Sequence, residues 1–124
     1  MKGNGEAVDI VLISPPPGWQ SCLPVGLGFL SAYLQKKGYS SYIYDIGLEL
    51  RNKVPMQARE YLWSLSAKGH WLDIDVMQAF LSRFESEINT CISEILSINT
   101  SLVGFSIIHS KQLISLELIK KIKE

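Results

Sequence analysis

The feature that most restricts the fold is a nearly continuous aliphatic run, Asp9-Ile10-Val11-Leu12-Ile13-Ser14, stopped by Pro15-Pro16-Pro17-Gly18. A run without polar alternation suits a strand buried on both faces, as in a parallel sheet with helices on either side. Proline offers no amide hydrogen to a ladder and fixes its own φ, so pairing should end there. A second run of the same character, Leu102-Val103-Gly104-Phe105-Ser106-Ile107-Ile108-His109, lies far downstream and leads into a basic helix. Joined through helical periods, the two read as strands of one doubly wound α/β sheet, with the first in the centre. Such sheets bind ligands beyond the carboxyl ends of their strands, so the loops after Ser14 and Ile108 are where a site is expected.

The intervening chain fits that plan in part. Leu27, Leu30, Tyr33 and Leu34 recur at helical spacing between Val25 and Lys37, and Gly38 supplies the left-handed residue that ends many helices. Ser41-Tyr42-Ile43-Tyr44-Asp45 mixes aromatic and β-branched residues and ends in an acid before Gly47, which predicts a second strand and its turn. Asp45 is expected to cap that turn, with a ribose hydroxyl or a water as the alternative partner.

Residues 48–100 exceed the single helix a crossover needs and read as a helical insertion. A short helix over 55–66 carries Tyr61, Leu62 and Trp63, and a turn at Lys68-Gly69-His70 follows, with His70 at the surface. Met77, Phe80, Leu81, Phe84, Ile88, Cys91, Ile92 and Ile95 then form one apolar stripe, predicting a single long helix packed on the sheet. Ser101 to Ile108 is the third strand. Ser110 is placed to cap the last helix, whose packing faces are Leu113, Ile114, Leu116, Leu118, Ile119 and Ile122.

Length and charge narrow the partners. At 124 residues, with 12 basic and 12 acidic side chains, the chain is one domain with no net field to attract nucleic acid or an anionic membrane. The apolar stretch at the amino end is too short for a signal sequence or a membrane helix. Cys22 and Cys91 are far apart and lack metal-ligand spacing, so both read as free thiols of a cytoplasmic protein, Cys91 in the core and Cys22 in a loop. A sheet ordered 2-1-3 would leave an aliphatic third strand as an open edge, which folded proteins avoid. Residues 1–124 are therefore expected to be the front part of a larger α/β domain, and by themselves to self-associate.

The strand and Pro-Pro loop, then Pro24-x-Gly26-Leu27-x-x-Leu30-x-Ala32-Tyr33-Leu34, Gly38 and a strand ending in Asp45, make an ordered combination with Val103-Gly104-Phe105-Ser106 and Ile119-Lys120-Lys121-Ile122-Lys123. It resembles the N-terminal cobalamin-binding domain of cobalamin-dependent radical S-adenosylmethionine enzymes, over nearly all the chain outside the insertion. The Trp63 and Trp71 region is similar to aromatic insertions of some members. The resemblance implies a module that presents the corrin cofactor to a catalytic barrel of the same parent chain, a methyltransferase or related enzyme. S-adenosylmethionine and the iron-sulfur cluster, held by Cys-x-x-x-Cys-x-x-Cys, would belong to that barrel.

Classical cobalamin domains carry Asp-x-His-x-x-Gly after the first strand. Here that loop, Ser14 to Cys22, has no histidine. The resemblance therefore implies cobalamin with its own base displaced and no histidine beneath the cobalt. Pro16, Pro17, Gly18 and Trp19 would lie against the corrin, with Val25 and Gly26 at the start of the first helix. Gly104 and Ser106 would admit and bond the nucleotide tail, and His109 would reach the ligand from the end of the third strand. The same prolines could serve only to end a strand, and Gly104 and Ser106 only to pack.

Two other functions compete. Gly26-Leu27-Gly28 is a poor dinucleotide fingerprint, with Ser31 in the third position and the glycines well past the strand; Gly28 is expected to pack helix closely on sheet instead. A flavodoxin-like interaction domain or a nucleotide or flavin binder uses the same edge, but a signalling receiver would need acids where Pro15 to Pro17 stand and an aspartate where His109 stands. No nucleophile elbow, phosphate loop or paired carboxylates mark the chain as catalytic.

Overall fold

The structure, a computed structural model, describes residues 7–16, 25–64, 68–107 and 111–123. Its elements run β1 (Ile10–Ser14), α1 (Val25–Lys36), β2 (Ser41–Asp45), α2 (Ile46–Lys53), α3 (Met56–Leu62), α4 (Lys68–Trp71), α5 (Ile74–Arg83), α6 (Glu85–Leu96), β3 (Val103–Phe105) and α7 (Gln112–Lys123). The strands form a parallel sheet in the order β2-β1-β3. This is the Rossmann-like α/β arrangement expected, with β1 central.

Pleating divides the sheet into two faces. Val11 and Ile13 pair with Tyr42 and Tyr44 on β2 and with Val103 and Phe105 on β3. That face meets the main core, in which Ile46, Leu50, Met77, Phe80, Ile88, Cys91, Ile95, Ile114 and Leu118 are buried. Tyr44 Oη donates to the Glu94 carboxylate, tying β2 to α6. The opposite face carries Ile10, Leu12 and Ser14, paired with Ser41, Ile43 and Asp45 and, on β3, with Gly104 opposite Leu12. Here α1 lies over β2, Leu27 is buried, and the Ser31 and Ser41 hydroxyls share a hydrogen bond of 2.5 Å. Helices thus flank both faces, as a doubly wound sheet requires.

The second face is only partly covered. On α1, Tyr33 of the expected stripe is 58% exposed, and Phe29 is 73% exposed. Leu30, expected to pack, is also exposed, and Gly28 does not bring helix and sheet close, since a Cβ there would meet no atom within 4 Å. A short helix resting on one side of a three-stranded sheet buries one narrow seam. Gly38 ends α1 with φ +91°, as expected of a left-handed terminator.

Three other expectations change. β2 has no turn after it: Asp45 Oδ1 accepts from Leu48 N at 3.0 Å and caps α2 directly, so Gly47 lies buried in a helix that residue-level periodicity did not mark. The long stripe is two helices, broken at Phe84 with φ −110° and ψ 29°. Neither proline nor glycine marks the bend. Phe84 N still bonds Phe80 O, and Ile88 N bonds Phe84 O, so the apolar positions stay in phase across it. The third strand is shorter than expected and half-buried, with Leu102 and Ile107 exposed, because among the described residues β1 alone pairs with it.

The insertion is a buried aromatic knot. Trp71 meets Trp63 edge-on at 5.2 Å and Phe80 at 5.6 Å, Phe80 meets Phe84 at 5.2 Å, and Trp71 Nε1 donates to Leu62 O at 2.5 Å. His70 lies in the short helix α4 rather than in a turn, and is half-buried against the exposed Tyr61, on which it stacks at 4.1 Å. Among the described residues, no helix is long and apolar enough to cross a membrane.

Candidate functional site at the carboxyl edge

Parallel strands send their carboxyl ends, and the amino ends of the helices that follow, to one edge of the sheet. Here β1 ends in Ser14 and the buried Pro15 and Pro16, β2 in Asp45, and β3 in Phe105 followed by Ser106. The first turn of α1 and that of α7, with Lys111 just ahead of it, open at the same edge. Pro15 and Pro16 act as expected: the ladder stops at Ser14.

Gly104 and Ser106 define the wall. A Cβ on Gly104 would meet Ile10 Cδ1 at 3.4 Å and Leu12 Cδ2 at 3.6 Å, so its missing side chain lies over the partly covered face of the sheet. Ser106 N donates to Ile13 O at 3.0 Å, which carries the β1–β3 ladder one step past β3. The same alternation therefore sets the exposed Ser106 side chain on Gly104's side of the pleat, beside Ser14 of β1. The edge thus presents the exposed Ser106 beside the buried Ser14, and one pleat step back Gly104 leaves an unfilled position over the half-buried Ile10 and the buried Leu12.

Of the other residues singled out from sequence, Pro16 is buried at the end of β1 and Gly26 is exposed in the first turn of α1, where a Cβ would meet nothing within 4 Å. Val25 is the first residue of α1. Pro17, Gly18, Trp19 and His109, as well as Cys22 and Ser110, lie outside the described residues. Asp45 takes the capping role, with its carboxylate on Leu48 N.

One residue of the edge escaped sequence reasoning. Lys111 is half-buried, and its Nζ donates to Ser14 Oγ at 3.4 Å. Burial lowers its pKa from the usual lysine value, and the Asp45 carboxylate opposes that shift. A lysine ahead of an apolar helix carries no local signal of such a contact.

Other features lie elsewhere. A cleft of about 380 Å³ lined by Ser31, Gln35, Gly38, Tyr39, Ser40 and Ser41 sits at the amino end of β2, where no helix amino terminus converges. The Cys91 thiol is buried and its pKa raised, chiefly by desolvation, so it is an inert core group, as expected. Among the described residues no three histidine, cysteine, aspartate or glutamate side chains gather in a metal-binding group. Compared with protein-family models, curated proteins and solved structures, the chain matches none.

Proposed function

We propose that this chain is a cobalamin-binding module of a cytoplasmic radical S-adenosylmethionine enzyme, a methyltransferase or a relative, that presents the corrin to a catalytic domain of the parent protein. The observation that supports the reading most is the pairing of Gly104 with Ser106 on one side of the pleat, at the carboxyl edge, over a face that α1 covers only in part. Such a surface suits a flat apolar base: the half-buried Ile10 offers dispersion contact, the glycine position admits close approach, and the exposed Ser106 can bond a polar ring atom.

The reading implies a cobalamin that keeps no protein histidine on its cobalt. Among the described residues His70 is the histidine, and it is engaged with Tyr61 in the insertion. Cobalamin when bound supplies an alkyl-carrying cobalt; this chain's own part is to hold and orient the ring and to shelter the nucleotide tail.

The test is a titration of the protein with hydroxocobalamin followed by visible spectroscopy. Saturable binding with a base-off spectrum is expected, weakened when Ser106→Phe fills the edge. Unchanged affinity in that variant would remove Ser106 from the site, and absence of binding would remove the function.

A further inference from the structure

Lys111 stands one residue ahead of α7, yet its ammonium folds down onto the end of β1, across 97 residues of sequence, to reach Ser14 Oγ. Lysine is among the side chains least often withdrawn from water. Asp45, the acid that acts on it, already accepts from Leu48 N. Among the described residues, the ammonium therefore has a neutral hydroxyl as its hydrogen-bonding partner and no carboxylate at ion-pair distance. A half-buried cation held this way costs free energy, and an anion arriving at the edge would offset that cost. The amino end of α7, twelve residues long, turns its positive dipole end to the same edge.

Resting on the reading of the carboxyl edge as the ligand site, we infer that Lys111 and Ser14 are its phosphate-holding pair, so that the ligand carries a phosphate or phosphodiester. Ser14 is suited to the role because its hydroxyl, on the last residue of β1, already orients the ammonium and can donate to a phosphate oxygen. Two ligands share this chemistry: cobalamin, through the phosphodiester of its nucleotide loop, and a free nucleotide such as flavin mononucleotide.

The experiment measures the affinity of wild-type protein, Lys111→Met and Lys111→Arg for hydroxocobalamin, for cobinamide, which lacks the phosphodiester and base, and for flavin mononucleotide. Thermal unfolding of each variant reports the fold. Loss of one charge-assisted contact should weaken cobalamin binding by roughly ten- to a hundredfold in Lys111→Met. Cobinamide binding should stay unchanged, and Lys111→Arg should retain cobalamin. Tight flavin mononucleotide binding with the same loss in Lys111→Met, and no cobalamin binding, would keep the phosphate pair and overturn the corrin reading. Cobalamin binding that is equal in wild type and Lys111→Met, or an equal loss for cobinamide, would overturn the role of Lys111 and leave the corrin reading standing. Failure of both phosphate-bearing ligands to bind would overturn both.

Discussion

Replacing Gly104 by alanine separates two reasons for a glycine in β3. If the glycine were there for packing, a methyl group would strain the sheet. The geometry says otherwise: the added carbon would lie 3.4 Å from Ile10 Cδ1 and 3.6 Å from Leu12 Cδ2, ordinary contacts with the flexible ends of side chains. The methyl also removes backbone freedom from the unfolded chain, which stabilises by about 0.4–1 kcal/mol where the native conformation accepts it. Partial burial of the new methyl adds at most about 0.8 kcal/mol. Gly104→Ala should therefore raise stability by about 0.5–1.5 kcal/mol, or roughly 2–6 °C in Tm for a domain of this size. Gly104→Leu should project over the open face, leave stability within about 1 kcal/mol of wild type, and lower cobalamin affinity by about tenfold or more by occupying the volume a base would use. Urea unfolding followed by tryptophan fluorescence gives the stabilities, and visible titration gives the affinities. Destabilisation of Gly104→Ala by more than about 1 kcal/mol would show that the glycine serves packing. Wild-type affinity in Gly104→Leu would show that this face does not take the ligand.

Phe80, 3% exposed and ringed by Trp63, Trp71 and Phe84, should cost about 3–5 kcal/mol when cut to alanine, whereas Phe29, 73% exposed on α1, should cost under about 0.5 kcal/mol; urea midpoints with unchanged slope would check the contrast. Tyr44 has its phenol pKa raised, first by desolvation and then by the bond to Glu94, so the stability it lends is complete below the unfolded tyrosine pKa of about 10 and is lost as pH rises beyond it. Tyr44→Phe should therefore flatten the fall in stability above pH ~10 seen by alkaline titration of the circular dichroism, and an identical fall would refute the assignment. The open edge of β3, with Val103 and Phe105 lining a groove of about 340 Å³ beside Ile119 and Ile122, should drive concentration-dependent association. Light scattering should detect it, and introducing a charge with Phe105→Lys should suppress it; a monomer at all concentrations would count against this surface.

The alternation-free run before Pro15 was enough to identify the central strand, because burial on both faces leaves no polar side of a strand to mark. Local chemistry likewise identified Gly38 as the end of α1, Asp45 as a cap, Cys91 as core and the strand order as 2-1-3, each a matter of backbone conformation, nearest neighbours or chain economy. Tertiary contact decided what those rules do not reach. The bend at Phe84 breaks no helical periodicity, so the sequence shows one stripe where the fold has two helices. Phe29 and Leu30 have the composition of buried residues, but exposure depends on how much sheet a helix finds beneath it. Nothing near position 111 announces that a lysine will reach a serine on β1, since that contact exists only once β1 and β3 are paired and α7 begins above them. Gly104 and Ser106 could be named as residues from sequence, but a shared side of the pleat over a partly covered face is a property of register, and register is set when strands distant in the chain come together.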